Sequence, residues 1–333
     1  MELYEYARPE LCAGKKILYV HGFASSGASG TVKTMRLLLP QAEVIAPDLP
    51  VEPQEALDLL HGLVEQENPG LIIGTSMGGM YTELLHGHDR IIVNPAFQLA
   101  DTILKNNGLG RREFHSPRAD GMKDFMVTKG LLEAFREVSS HCFEDCDDEH
   151  LYGLFGTRDT LVDTYAMTAA HYSQCMHFEG EHYLNDSTFL HAVIPVIQWI
   201  DDRQNGTVRP SIFIAFDDVL RFSHNGEQVA AASRSVLELS RRYDLHFVLA
   251  AHPDDWDKAM AAREWMQQYI GVPTWNRTVL TSRKDTLLGD YLIDAHPDRF
   301  RGEDYMGTII NFGSSGFKDW AEVMTYFDRL GGQ

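Results

Sequence analysis

Ser76 stands between glycines in Gly74-Thr75-Ser76-Met77-Gly78, where the apolar run LIIG gives way to a helical spacing of Met77, Met80, Leu84 and Leu85. A G-x-S-x-G sequence at such a junction lets the chain turn tightly from strand to helix and leaves the serine hydroxyl exposed. The plainer reading is a glycine-rich helix start with Ser76 as an ordinary cap. A serine hydroxyl is a poor nucleophile at neutral pH, so catalysis would require a general base and a carboxylate to fix the base's tautomer. Both follow in chain order: the run LYGLFG leads into Asp159, and the run MHFEG leads into His182. Asp163 is the rival acid, but it falls where the next helix should begin and reads more naturally as a cap. The last requirement is a pair of backbone N–H groups for the oxyanion of a tetrahedral intermediate. Met77, next after the serine, and Phe23, in the loop of ILYVHGFASS, are the candidates. His21 then shapes that loop and is not the base.

A parallel sheet would gather these residues at one edge. Up to about Asp202, short apolar runs such as KKILYV, GLIIG, RIIV and CMHF alternate with stretches of helical periodicity. That alternation predicts parallel strands with helices on both faces. Gln98 to Asp145 carries helical patterns but no convincing strand, and the insertion is expected to form a small helical lid over about residues 98–150. Its apolar residues, Met122, Phe125, Met126, Leu131, Leu132 and Phe135, read as packing before acyl-chain contacts. Arg111, Arg112, His115 and Arg118 could meet an anionic substrate, although such clusters are commonly just solvated.

The polar stretch Asp201 to Pro210 is the expected linker, with domains over 1–202 and 211–333 and the connection at 203–210. Beyond it the alternation restarts in a second, smaller α/β unit. The 333 residues, 44% of them hydrophobic, suffice for two cores. A formal charge of −19 argues against a nucleic-acid partner, whose phosphates need clustered Lys and Arg. No apolar run reaches membrane-spanning length and no leader-like start is present, so a cytoplasmic, soluble protein without membrane partners is expected. Cys12, Cys142, Cys146 and Cys175 lack zinc-site spacing with histidines and are expected as free thiols. The acidic run FEDCDDEH reads as a solvated surface. No metal or other cofactor is expected.

Residues 1–202 resemble the α/β-hydrolase superfamily, and within it the small YqiA-type esterases, through YVHGFASS, IIGTSMGG, IVNPA, GTRDTLV and GEHY. The resemblance implies an α/β-hydrolase parallel sheet and the cleavage of a small-molecule ester or acyl thioester, with Ser76 as nucleophile, His182 as base and Asp159 as acid.

The second unit resembles the haloacid dehalogenase (HAD) superfamily, in its 5′(3′)-deoxyribonucleotidase-like branch, through SIFIAFDDVL, LHFVLAA, TSRK and GDYLIDAHPDRFRGED. It implies a Rossmann-like α/β domain. Active members carry D-x-D-G-V-L after the first strand, the leading aspartate attacking phosphorus. Here that position is Ala215 and the second is Asp217; the Thr or Ser after the second motif strand is Ala250, and the partner of Asp294 is Ala295. Lys284 and Asp290 match. Alanine cannot form an aspartyl phosphate, so the unit is expected to be a phosphatase fold without phosphatase chemistry. Asp217, Lys284, Asp290 and Asp294 could still form a weak ion site, or be structural remnants in a unit that serves packing or a homo-oligomer contact. Two alternatives stay open at this point: a metal-dependent nucleotide phosphatase in the second unit, and a non-enzymatic binding or assembly protein.

Overall fold

The structure is a computed structural model and describes residues 3–106, 108–221, 226–252, 255–274 and 277–330. The chain divides into two compact units, Met1–Asp201 and Asp202–Gln333. In the first, β1 (Lys16–Val20), α1 (Gly30–Leu38), β2 (Glu43–Ile45), α2 (Pro53–Glu67), β3 (Leu71–Thr75), α3 (Met77–Glu83) and β4 (Arg90–Val93) follow the expected alternation. An insertion comes next: α4 (Leu99–Asn106), β5 (Gly110–Glu113), β6 (Asp124–Val127) and α5 (Lys129–Ser140). The alternation resumes with β7 (Leu151–Gly156), α6 (Tyr165–Ala169), β8 (Cys175–Phe178), a short α7 (Asp186–Thr188) and α8 (Ile194–Asn205).

Six of these strands form one sheet in the order β2-β1-β3-β4-β7-β8. Every pairing in it is parallel. Parallel strands with both faces covered read as near-continuous apolar runs, and β1, β3, β4 and β7 are buried along almost their whole length. Leu18, Ile72, Ile92 and Leu151 from four neighbouring strands meet in one apolar cluster. Burying each such side chain contributes roughly 1.5–3 kcal/mol. The carboxyl ends of these strands all open on one edge, the edge where open α/β sheets hold their ligands.

The expectation of a lid without strands is corrected. β5 and β6 pair as an antiparallel hairpin, Arg112 opposite Phe125. The charged β5, Gly-Arg-Arg-Glu, carries no hydrophobic period-2 signal. In β6 the alternation is there but short, with Phe125 and Val127 buried and Met126 exposed. The start of the expected linker is corrected as well. Arg203, Gln204 and Asn205 continue α8, and the left-handed Gly206 (φ 62°) ends it. Glycine takes that conformation at no steric cost, which makes it the natural stop.

The second unit runs β9 (Ser211–Ala215), α9 (Gly226–Leu239), β10 (Asp244–Ala250), α10 (Trp256–Tyr269), β11 (Thr278–Thr281), β12 (Tyr291–Asp294), β13 (Thr308–Asn311) and α11 (Trp320–Leu330). Its five strands lie parallel in the order β11-β10-β9-β12-β13, a Rossmann-like layout. Ile212 and Ile214 pack into one apolar cluster with Phe327, while Phe213 between them joins another with Leu292. That alternation shows the sheet covered on both faces.

Asp244 opens β10, where it accepts hydrogen bonds from Arg277 and from His246 Nε2 (3.0 Å). Burial pushes its carboxyl up, but the bonds from His246 and Arg277 prevail and hold it at about 2, below the ordinary 3.8. A depressed carboxylate lends stability that is present above its unfolded pKa and is lost as pH falls through the folded one. The thermal midpoint of Asp244→Asn should therefore lie below that of the wild type at neutral pH. The gap should close as the pH drops from about 4 to 2, and a gap that persists there would contradict the assignment.

Candidate active site

The turn after β3 is built by exclusion of side chains. A Cβ on Gly74 would lie 2.2 Å from the Gly78 carbonyl oxygen, and one on Gly78 would lie 2.0 Å from that of Val20. Ser76 between them sits at φ 55°, ψ −119°, a conformation that L-residues rarely adopt. The surrounding backbone holds it there: Ser76 N donates to Val93 (2.9 Å), and Ser76 O accepts from Gly79 (2.9 Å) and Ala96 (3.0 Å). The plainer reading of this serine as a helix cap is not met, since its side chain makes no capping bond to α3.

The hydroxyl faces the loop after β8 instead. His182 Nε2 lies 2.9 Å from Ser76 Oγ, and His182 Nδ1 lies 2.7 Å from Asp159 Oδ2. Both partners are shielded, their side chains 8% and 4% exposed. The other oxygen of Asp159 accepts from the amides of Leu161 (2.8 Å) and Val162 (3.0 Å). Burial raises the Asp159 carboxyl, but the bonds from His182 and these amides outweigh it and keep the group below the ordinary carboxylate range. Asp163, the rival acid, makes no such bond. It is also not the cap of the next helix: α6 starts at Tyr165 with Thr164 in the cap position, so the expectation for Asp163 is corrected by one residue. Its charge falls near His177.

Met77 opens α3, where the first amides of a helix have no intrahelical acceptor. Among the described residues neither the Met77 nor the Phe23 amide donates to a protein acceptor. The Phe23 loop is pressed close: a Cβ on Gly22 would lie 3.3 Å from Ser76 Cβ. His21 shapes this loop as expected. Its Nδ1 bonds to the Gly22 carbonyl (2.9 Å) and its Nε2 accepts from the Leu49 amide (3.1 Å). Burial pushes its pKa down, so the ring stays neutral.

Sequence reasoning missed Asn94. This residue, 1% exposed and left-handed (φ 46°), follows β4. Its Nδ2 donates to the carbonyls of Glu181 (3.0 Å) and His182 (3.1 Å), and its Oδ1 accepts from the Gly156 amide (2.7 Å). One side chain thus ties the histidine loop to the end of the strand that leads to Asp159. The available signal was a lone Asn at the carboxyl end of a strand, just before Pro95, where an amide that tolerates the left-handed region is favoured.

A cavity of about 710 Å³ opens over Ser76 and His182. The lid's Phe125, Leu132 and Phe135 are buried in the apolar cluster, Leu131 packs against it, and Met122 and Met126 are exposed; none of the six lines the cavity. Arg111 is paired with Asp124, and Arg118 with Asp120 and the Leu49 carbonyl. Arg112 and His115 do line the cavity.

Of the four candidate ligands of the second unit, Asp217, Lys284 and Asp294 lie near one another and Asp290 lies apart. Lys284 and Asp294 form a buried ion pair, 3% and 2% exposed, and Lys284 also donates to the His296 carbonyl (3.1 Å). Asp217 is exposed. Asp290 sits at the opposite, amino edge of the sheet, accepting from the Ser211 amide (2.7 Å) at the start of β9. Its inclusion is corrected: four residue steps along an extended strand carry the chain from it to Asp294, on the order of 13 Å. Among the described residues no three His, Cys, Asp or Glu side chains come together as a metal site. The Mg²⁺ that the HAD resemblance would bring does not fit these residues, since Ala215 offers no ligand and Asp294 is neutralised by Lys284. All four cysteines are free thiols.

The model of an uncharacterised protein family, UPF0227, matches residues 16–188. The chain belongs to this family. The match spans the sheet from β1 onward and includes Ser76, Asp159, His182 and Asn94. In the C-terminal region the UPF0227 chain is similar to a Vibrio phage KVP40 protein provisionally named a 5′(3′)-deoxyribonucleotidase, 33% identical over 88 residues. Those residues are 26% of this chain and 51% of the relative, so the chain spans about half the length of that protein. Among solved structures, ferulic acid-bound Est1E from Butyrivibrio proteoclasticus is 14% identical with a TM-score of 0.40, covering 60% of this chain and 90% of that one. The esterase domain of a Rhodothermus marinus protein is 17% identical with a TM-score of 0.39, over 58% and 88%. A thioesterase domain from the curacin biosynthetic pathway is 14% identical with a TM-score of 0.36, over 59% and 92%.

Proposed function

We propose that the first unit is a serine hydrolase that cleaves a carboxylic ester or acyl thioester through an acyl-enzyme. The observation that carries this reading is the unbroken chain from Ser76 Oγ through the His182 ring to Asp159, at 2.9 and 2.7 Å. Ser76 attacks the carbonyl carbon while its proton passes to His182 Nε2. Asp159 keeps Nδ1 protonated and stabilises the imidazolium. The Met77 and Phe23 amides receive the oxyanion, each donor worth on the order of a hundredfold in rate. His182 then protonates the departing oxygen or sulfur, and water activated by the same ring releases the acid. Acid-quenched turnover of p-nitrophenyl butyrate should leave a butyryl group on the peptide that holds Ser76. A butyryl group on another residue would overturn the reading.

In this reading Asn94 is a positioning residue. Asn94→Gly keeps the left-handed backbone while removing the three side-chain bonds. It should lower kcat by up to about a hundredfold, with KM nearly unchanged. A loss confined to KM, or none at all, would show that the histidine loop stands without it.

For the second unit the proposal is a phosphatase fold without phosphatase chemistry, because a buried Ala215 occupies the nucleophile position. Among the described residues no helix is long and apolar enough to cross a membrane. The expected site of action is the cytoplasm.

A further inference from the structure

The loop after β1 opens on the cavity over Ser76 through Gly22, Phe23, Ala24 and Ser25. Its Ala24 sits at φ 56°, in the left-handed region that a residue with a Cβ seldom enters. Such a conformation persists only where the surroundings over-determine it. Whatever holds this loop therefore sets where the Phe23 amide lies.

Much of the hold comes from the lid, through residues 114–119 between β5 and β6. The His115 amide donates to the Ala24 carbonyl (2.8 Å), and the fully buried Ser26 donates through Oγ to the Pro117 carbonyl (2.8 Å). The Phe23 ring meets Phe125 of β6 edge-on, 5.3 Å between centroids, and Phe114 packs on the same Phe125 at 4.9 Å. The Arg118 guanidinium lies over Phe114, 4.5 Å from the ring centre.

One side chain bridges the two segments. Asp48, half-buried in the stretch after β2, accepts from the Gly27 amide on Oδ1 (2.8 Å) and from the Ala119 amide on Oδ2 (2.6 Å). Gly27 belongs to the oxyanion loop and Ala119 to the lid, so each carboxylate oxygen grips one of them. Hydrogen bonds from N–H groups to an ionised carboxylate are about twice as strong as neutral ones. Arg118, beside Ala119, pairs with Asp120 instead (2.7 Å).

Building on Ser76 as the nucleophile and the Phe23 amide as an oxyanion donor, we propose that Asp48 is a positioning residue that braces the oxyanion loop against the lid and so fixes the Phe23 amide for the transition state. The oxyanion exists only once Ser76 has attacked. The brace therefore acts on kcat and hardly on ground-state binding.

Asparagine copies the shape of aspartate but offers one acceptor oxygen, and its NH₂ would face the second amide. With p-nitrophenyl butyrate, Asp48→Asn and Asp48→Ala should each lower kcat about ten- to a hundredfold, with KM within about threefold of the wild type. Two inhibitors separate positioning from a mere loss of packing. Ser76 Oγ adds to the carbonyl carbon of trifluoromethyl hexyl ketone, its proton passes to His182, and the carbonyl oxygen becomes an oxyanion facing the Phe23 and Met77 amides. Methyl hexyl ketone, far less electrophilic, fills the same cavity as the intact ketone. The inhibition constant of the first should rise by the factor lost in kcat, and that of the second should stay unchanged. Unchanged kcat in a folded Asp48 variant, or equal weakening of both ketones, would overturn the proposal. Asp48→Asn keeps the size of the side chain, so a readable variant remains if Asp48→Ala does not fold. A wild type that a fluorophosphonate fails to label would remove the nucleophile, and the role of Asp48 with it. A labelled wild type beside variants of unchanged kcat would remove the role of Asp48 alone.

Discussion

Replacing Ser76 with alanine should lower ester turnover by roughly a millionfold. The size follows from how the three side chains share one task. His182 has no hydroxyl to deprotonate once Oγ is gone, and Asp159 then orients a base with nothing to act on, so the loss is that of the whole unit. The unmatched amides of Met77 and Phe23 remain, and with substrate binding they should leave a residual rate above water. Steady-state kinetics with p-nitrophenyl butyrate, on protein whose thermal midpoint matches the wild type, would measure it. Activity within about tenfold of the wild type would place the nucleophile elsewhere.

Asp159→Asn should cost on the order of ten-thousandfold in kcat. The carboxylate is held by three donors, His182 Nδ1 and the Leu161 and Val162 amides. An asparagine of the same shape can turn its NH₂ toward Nδ1, which makes that nitrogen an acceptor and moves the imidazole proton to Nε2. The ring then cannot take the proton of Ser76. Asp163→Asn should stay within about threefold of the wild type, because Asp163 lies outside this chain of bonds. A severe loss in Asp163→Asn with little in Asp159→Asn would exchange the two. Acid should act through the same carboxylate. Its pKa lies below the ordinary range when folded, so its contribution persists at mild acidity and fades only as pH falls through that depressed value.

How far the sequence carries can be followed residue by residue. Gly74 and Gly78 are legible because sterics leave no other choice at a turn so tight, and the order Ser76, Asp159, His182 is legible because strand ends deliver their residues to one edge. The hairpin in the lid was not, since β5 is charged and pairs through its backbone, which no hydrophobic period records. Asn94 was hidden for a related reason: its function lies in three bonds to backbone groups far along the chain, and an isolated asparagine does not announce them. Asp290 shows the reverse failure. Reading it beside Asp294 ignored that four residue steps along an extended strand carry it to the other edge of the sheet. The burial of Lys284 against Asp294 was likewise outside what spacing can tell.

One measurement bears most directly on the account: reaction of the full chain with a fluorophosphonate, followed by mapping of the modified peptide. Stoichiometric phosphonylation of Ser76, abolished in Ser76→Ala and strongly slowed in His182→Ala, is the predicted outcome. No modification of the folded wild type, or modification at another residue with Ser76 untouched, would contradict it.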